Sequence, residues 1–151
     1  MTENQVEILL VEDNPNDVEL TLHAFKSNHV SNFIHVVRDG AEALEYIFCE
    51  GQYEERKIED SPRLILLDLK LPKVDGLEVL RQIRSDDRTK SIPVVILTSS
   101  DEERDVIESY KLGVNSYIRK PVDFEKFSKV VKDLEYYWLL LNIGPPNDPS
   151  R

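Results

Sequence analysis

The chain has a single cysteine, Cys49, so no disulfide can form within it, and a reducing compartment such as the cytosol is the simpler expectation. It also lacks positive charge: 19 Lys and Arg face 29 Asp and Glu, a formal net charge of −10. Sequence-independent nucleic-acid binding depends on cations that neutralise phosphates, so this balance argues against nucleic acid as a partner and against an anionic membrane surface. No apolar run approaches the roughly 18 residues of a membrane-spanning helix. Met1-Thr2-Glu3-Asn4-Gln5 has neither the basic nor the apolar region of a signal peptide. There is no internal repeat and no low-complexity tract. What is present is ordinary for one cytoplasmic globular domain: 151 residues, 40% hydrophobic and 32% charged, enough for a single sizeable core.

Apolar runs bounded by turn signals alternate with helical patterns, which predicts repeated βα units and a parallel sheet. The expected strands are 6–12, 33–38, 63–68, 93–98 and 115–119, and the expected helices 15–27, 40–49, 75–85, 101–112 and 123–142. The strand runs are short and rich in Ile, Leu and Val, as in strands buried on both faces. Asn14 precedes Pro15 at a helix start, where the missing N–H is harmless. Asp39…Glu42, Asp75…Glu78 and Ser100…Glu103 have capping-box spacing, and Asp123 is a further cap. Gly113 is expected to end the fourth helix in a left-handed conformation. Glu50–Ser61 is polar and aperiodic, so a solvated loop is expected, with a partner-specific loop as the alternative.

Five residues stand at the ends of four of these strands: Glu12 and Asp13, Asp68, Thr98 and Lys120. In an open parallel sheet, ligands bind at the carboxyl ends of the strands. Glu12, Asp13 and Asp68 would crowd like charges, which costs stability unless a cation intervenes. Mg²⁺ suits such an oxygen-rich site, with Asp13 and Asp68 as direct ligands, the Lys70 backbone carbonyl completing the set and Glu12 acting through water. A carboxylate can also attack phosphorus to form an acyl phosphate. Asp68 is the expected acceptor, with Lys120 and the Thr98 hydroxyl stabilising the transferring group. Acids that merely complement helix dipoles would explain Asp13 equally well, but not Asp68 or Lys120.

With its flanking motifs, the chain resembles the receiver domain of two-component response regulators over residues 6–135. The motifs are Val11-Glu12-Asp13-Asn14, Arg38-Asp39-Gly40-Ala41-Glu42-Ala43-Leu44, Asp68-Leu69-Lys70-Leu71-Pro72-Lys73-Val74-Asp75-Gly76-Leu77-Glu78, Pro93-Val94-Val95-Ile96-Leu97-Thr98-Ser99-Ser100 and Gly113-Val114-Asn115-Ser116-Tyr117-Ile118-Arg119-Lys120-Pro121. The resemblance implies an α/β, flavodoxin-like (βα)5 doubly wound sheet of order 2-1-3-4-5 as a single domain. It implies Asp68 as phosphoacceptor, Glu12 and Asp13 as metal-site acids, Thr98 and Lys120 as phosphoryl-binding groups, and Tyr117 as a switch residue turning inward on phosphorylation. It also implies a cis Lys120-Pro121 bond. Lys70 and Ser100, two residues beyond Asp68 and Thr98, are positions whose side chains can screen the acyl phosphate, and Lys70 is expected to tune its lifetime.

The implied partner is a sensor histidine kinase, and the implied behaviour is stoichiometric acceptance rather than steady turnover of an external substrate. Phe124, Phe127, Val130, Val131, Leu134, Trp138 and Leu141 form a helical seam, but Tyr136–Leu141 is apolar all round and suggests dimerisation or partner docking. Residues 6–142 are thus expected to form the domain and 143–151 a flexible tail, with signalling through the domain's own surface to an unidentified downstream protein. The long Glu50–Ser61 loop, the Asp13-Asn14-Pro15-Asn16-Asp17 start and the aromatic extension resemble small regulators partnered with bacterial phytochrome kinases. A chemotaxis-type motor regulator and a non-phosphorylated interaction module stand as alternatives. A flavodoxin is disfavoured, because Glu12 and Asp13 would repel the flavin phosphate. A phosphatase is disfavoured by Lys70, which stands where a proton-donating acid is needed. His23, His29 and His35 show no metal-ligand grouping, and Cys49 is expected to serve packing.

Overall fold

The computed structural model describes residues 6–27, 33–100, 102–120 and 123–134. Strands β1 (Val6–Val11), β2 (Phe33–Val37), β3 (Leu64–Leu67), β4 (Val94–Thr98) and β5 (Ser116–Arg119) alternate with helices α1 (Pro15–Ser27), α2 (Gly40–Phe48), α3 (Gly76–Ser85), α4 (Glu103–Lys111) and α5 (Phe124–Leu134). All strand pairs are parallel, in the order β2-β1-β3-β4-β5. The alternating pattern predicted a parallel βα sheet, and the strand order is the flavodoxin-like one that the receiver resemblance implies.

The period of two along each strand sorts the core into two layers. Leu9, Val11, Ile65, Leu67, Val94 and Ile96 pack against Ala43, Tyr46 and Ile47 of α2 and Val79, Leu80 and Ile83 of α3. Ile8, Leu10, Leu64, Leu66, Val95 and Leu97 face the other way, onto Val18, Ala24 and Phe25 of α1 and Phe127 and Val131 of α5. The central strands are therefore buried on both faces, which is why they read as continuous apolar runs.

The expected caps at Asn14, Asp39, Asp75 and Asp123 accept N–H groups from the first turns of their helices. The reciprocal half of the capping box does not form as expected. Glu42 accepts from the Arg38 N–H, and the Glu78 carboxylate takes Arg81 and Gln82. Ser100 is not a cap at all. Its hydroxyl bonds Asp105, and α4 begins at Glu103 after Glu102, which makes no side-chain cap. Gly113 behaves as expected: at φ 75° it allows bonds from Gly113 N to Tyr110 O and from Val114 N to Ser109 O that close off α4.

The Glu50–Ser61 segment is mostly exposed, as expected of a solvated loop, but it is not irregular: it contains two short 3₁₀ turns, Gly51–Tyr53 and Ile58–Asp60, anchored to β2 and α2 by a few side chains. His35 stacks on Tyr46 at 4.4 Å, and the Tyr53 ring stands edge-on to both. The Arg56 guanidinium covers the Tyr46 ring at 3.8 Å and donates to the Tyr46 carbonyl. The pattern was invisible to periodicity because the anchors are isolated aromatics and one cation, not a stripe. Cys49 ends α2 in a left-handed conformation (φ 57°) beside Arg56. Tyr136–Leu141, the 143–151 tail, His29 and the Lys120-Pro121 bond lie outside the described residues.

Candidate functional site

The site is assembled where strands end. Past β1, the Glu12 N–H still bonds the Val37 carbonyl at 3.0 Å, and past β3 the Asp68 N–H bonds the Val11 carbonyl at 3.0 Å. The ladder thus runs one residue beyond each strand and fixes the backbone of both acids. The Lys120 N–H bonds the Thr98 carbonyl at 2.7 Å and holds the lysine at the end of β5 level with β4. Beneath Asp68, the α3 start comes close enough for the Gly76 N–H to reach the Leu69 carbonyl at 2.9 Å.

Glu12 is 1% exposed and Asp68 5%, whereas Asp13 is exposed. Each of the three offers a carboxylate oxygen within 4.8 Å of the others. Lys120 Nζ lies 2.8 Å from Glu12 Oε1, 3.2 Å from Asp68 Oδ2 and 2.7 Å from Asp17 Oδ2. Asp68 Oδ1 accepts the Lys70 N–H at 3.0 Å. Asp13, Asp17 and Asp68 border an open cleft of about 670 Å³, lined also by Asn14, Lys70 and Ser99. Burial pushes the Glu12 carboxyl up to about 7; the Lys120 hydrogen bond opposes the rise and the Asp68 charge reinforces it. Burial works against the Lys120 charge, but hydrogen bonds to Asp17 and Glu12 and the charge of Asp68 outweigh it and raise the ammonium above its ordinary value.

A hard divalent cation fits this donor set. Glu12, Asp13 and Asp68 bring three carboxylate oxygens together, the last two at an open, water-accessible cleft, and Lys120 pairs with Glu12 and Asp68. Lys70 contributes its N–H to Asp68, and its side chain is exposed at the cleft.

Thr98 is wholly buried at the end of β4, its hydroxyl oxygen accepting the Ser100 N–H at 3.3 Å. Ser100 is buried with its hydroxyl engaged by Asp105, so its side chain is committed to α4 rather than to screening the cleft. Tyr117 is half-buried, and its hydroxyl donates to the Ser100 carbonyl at 2.9 Å. The β4–α4 loop is thereby tied to both β5 and α4. Asp17 is the residue that strand-end reasoning missed. It sits in the first turn of α1, and its signal was its place in the Asp13-Asn14-Pro15-Asn16-Asp17 helix start.

The family model for the response regulator receiver domain matches residues 8–132. Response regulator Rcp1 of Synechocystis sp. (strain PCC 6803) is 42% identical over 132 residues, 87% of this chain and 88% of that protein. Its Mn²⁺-bound crystal structure superposes with a TM-score of 0.81 at 41% identity, covering 92% of this chain and 98% of that one. The phosphorylated cyanobacterial phytochrome response regulator RcpA gives a TM-score of 0.82 at 44% identity, covering 92% and 97%. The bacteriophytochrome response regulator RtBRR gives 0.75 at 56% identity, covering 92% and 83%.

Proposed function

The chain belongs to the response regulator receiver family, and on that premise we propose that it takes a phosphoryl group from the phosphohistidine of a sensor histidine kinase onto Asp68. The observation that carries this reading is the Lys120 ammonium 3.2 Å from the Asp68 carboxylate, inside a cluster of acids at an open cleft. One Asp68 oxygen forms a P–O bond as the P–N bond of the donor breaks, and the electron pair returns to the imidazole. Lys120 and the Thr98 hydroxyl then hold the charge on the transferred group. Glu12, Asp13 and Asp68, with the Lys70 carbonyl, would hold a divalent cation such as Mg²⁺. When bound, it supplies positive charge to the phosphoryl oxygens.

Thr98 and Tyr117 transmit the event. The Tyr117 hydroxyl already bonds the loop that follows Thr98, so a shift of Thr98 toward the phosphoryl group changes that loop and the face formed by α4, β5 and α5. The protein is a phosphoacceptor module rather than an enzyme of steady turnover, and its reading partner is another protein. The relatives RcpA and RtBRR are phytochrome response regulators, which supports a phytochrome kinase as the donor and the cytoplasm as the place of work. The apolar Tyr136–Leu141 stretch supports a homodimer, and ultracentrifugation of a chain ending at Glu135 tests it: an unaltered dimer removes that role.

Intact mass after incubation with Mg²⁺ and acetyl phosphate tests the core reading. One phosphoryl group is expected on the native protein and none on Asp68→Asn; phosphorylation of both overturns the assignment. Profiling transfer from the histidine kinases of the source organism tests the phytochrome pairing.

A further inference from the structure

Lys120 is fully committed. An ammonium has three N–H donors and no more. Here three carboxylates lie within hydrogen-bond reach of Nζ: Asp17 at 2.7 Å, Glu12 at 2.8 Å and Asp68 at 3.2 Å. Phosphorylation turns the Asp68 carboxylate into an acyl group and sets more strongly accepting phosphoryl oxygens beyond it on the cleft side, so Nζ is drawn toward them and loosens its hold on Glu12 or Asp17.

Exposure decides which. The Glu12 side chain is 1% exposed, so no water can take the lysine's place there, and a buried carboxyl left without a partner is costly. Asp68 is the group that carries the phosphate. The Asp17 side chain is 29% exposed in the first turn of α1, on the rim of the cleft, where water can replace the lysine. Its amide and carbonyl are engaged within the helix end by Asn14 and Thr21, so only its carboxylate is free to change partners.

We propose that Asp17 is a positioning residue: it holds Lys120 in the unphosphorylated state and is the partner released when the ammonium turns to the phosphoryl group. This rests on Asp68 being the acceptor. The exchange makes Asp17 a brake on phosphorylation, because its ion pair must be broken each time the acyl phosphate forms. It also gives the site a second output. The Lys120–Asp17 bridge ties the end of β5 to the start of α1, and α1 packs on α5. Its loss on phosphorylation frees that helix start.

Beryllofluoride, a phosphoryl mimic, tests the proposal by calorimetric titration in Mg²⁺ on the full chain. Asp17→Asn keeps the shape and removes the charge. It is expected to bind about two- to fivefold more tightly than the native protein, the value of one partly exposed ion pair. Asp17→Glu restores a carboxylate and should return affinity toward native. Unaltered or weaker binding by Asp17→Asn, with native thermal stability, overturns the proposal. Amide exchange at the α1 start supplies a second readout: beryllofluoride should speed it in the native protein and leave it unchanged in Asp17→Asn, which has no bridge to lose. Equal acceleration in both proteins also overturns it. Asp68→Asn is the control for the underlying reading. If it binds beryllofluoride as the native protein does, Asp68 is not the acceptor and both readings fall, whereas the outcomes above overturn the Asp17 role alone.

Discussion

Gly76 lies directly beneath Asp68: a Cβ at Gly76 would stand 2.3 Å from the Asp68 carbonyl oxygen and 2.5 Å from the Leu69 Cα. Both obstacles are backbone, so neither can swing aside. Gly76→Ala must push α3 away from the segment that aims the acceptor. It is expected to cost about 1–3 kcal/mol, the usual price of overpacking. Urea unfolding measures the loss, and acetyl phosphate labelling should slow with it. A fully stable, normally labelled variant would mean that the approach of α3 does not set the Asp68 geometry.

Arg84 is a structural keystone of the opposite pole. Its half-buried guanidinium donates to the carbonyls of Leu112, Lys90, Ile92 and Gly113, joining the end of α3 to the end of α4 and the entry to β4. Arg84→Ala is expected to destabilise by about 2–4 kcal/mol. Arg84→Lys should recover little, since a point charge cannot reproduce the planar fork. Chemical denaturation of the three proteins checks the order.

His35 makes stability depend on pH. Burial holds its imidazole below the ordinary value of 6.5; Glu42 opposes that and Arg56 reinforces it. The ring lies between Tyr46 and Tyr53, and Nε2 is 3.0 Å from the Tyr53 hydroxyl, which donates to Glu42 at 2.7 Å. The unfolded chain therefore takes up a proton near pH 6.5 that the folded chain resists. Stability from this group is complete above that pH and is lost as pH falls toward the folded value. Melting midpoints at pH 7.5 and 5.5 should diverge less in His35→Phe than in the native protein; equal divergence would exclude His35 as a source.

Mg²⁺ should stabilise the protein by relieving the crowding of Glu12, Asp13 and Asp68. At a hundredfold excess over its dissociation constant a ligand adds about 2.7 kcal/mol. Asp13→Asn removes the exposed acid, so the metal-dependent rise in melting temperature should vanish or need more Mg²⁺. The metal-free variant should be as stable as the native protein or slightly more so, since a like charge has gone. A full Mg²⁺ response in Asp13→Asn would remove Asp13 from the ligand set.

Lys70 tests the control of lifetime. Its side chain is exposed at the cleft while its N–H fixes Asp68 Oδ1. Lys70→Ala leaves the backbone bond in place and strips the screen, so the phosphoryl group should be lost faster, followed by intact mass over time. An unchanged rate would deny the side chain this role.

The strand and helix order, the two-faced burial of the sheet and the caps at Asn14, Asp39, Asp75 and Asp123 could all be read from the chain, because each depends on neighbours a few residues apart. So could Glu12, Asp13, Asp68, Thr98 and Lys120 as strand-end residues, since βα repetition alone brings strand ends to one edge. Distance along the chain hid the rest. Asp17 and Lys120 are 103 residues apart, and nothing local announces that one ammonium will serve three carboxylates. The clasp of His35, Tyr46, Tyr53 and Arg56 on the Glu50–Ser61 segment, and the four carbonyls that Arg84 collects, were equally unreadable. Such contacts exist only once the sheet has set elements side by side. Local pattern dictated where the chemical groups stand, and packing decided which of them share a proton, a charge or a partner.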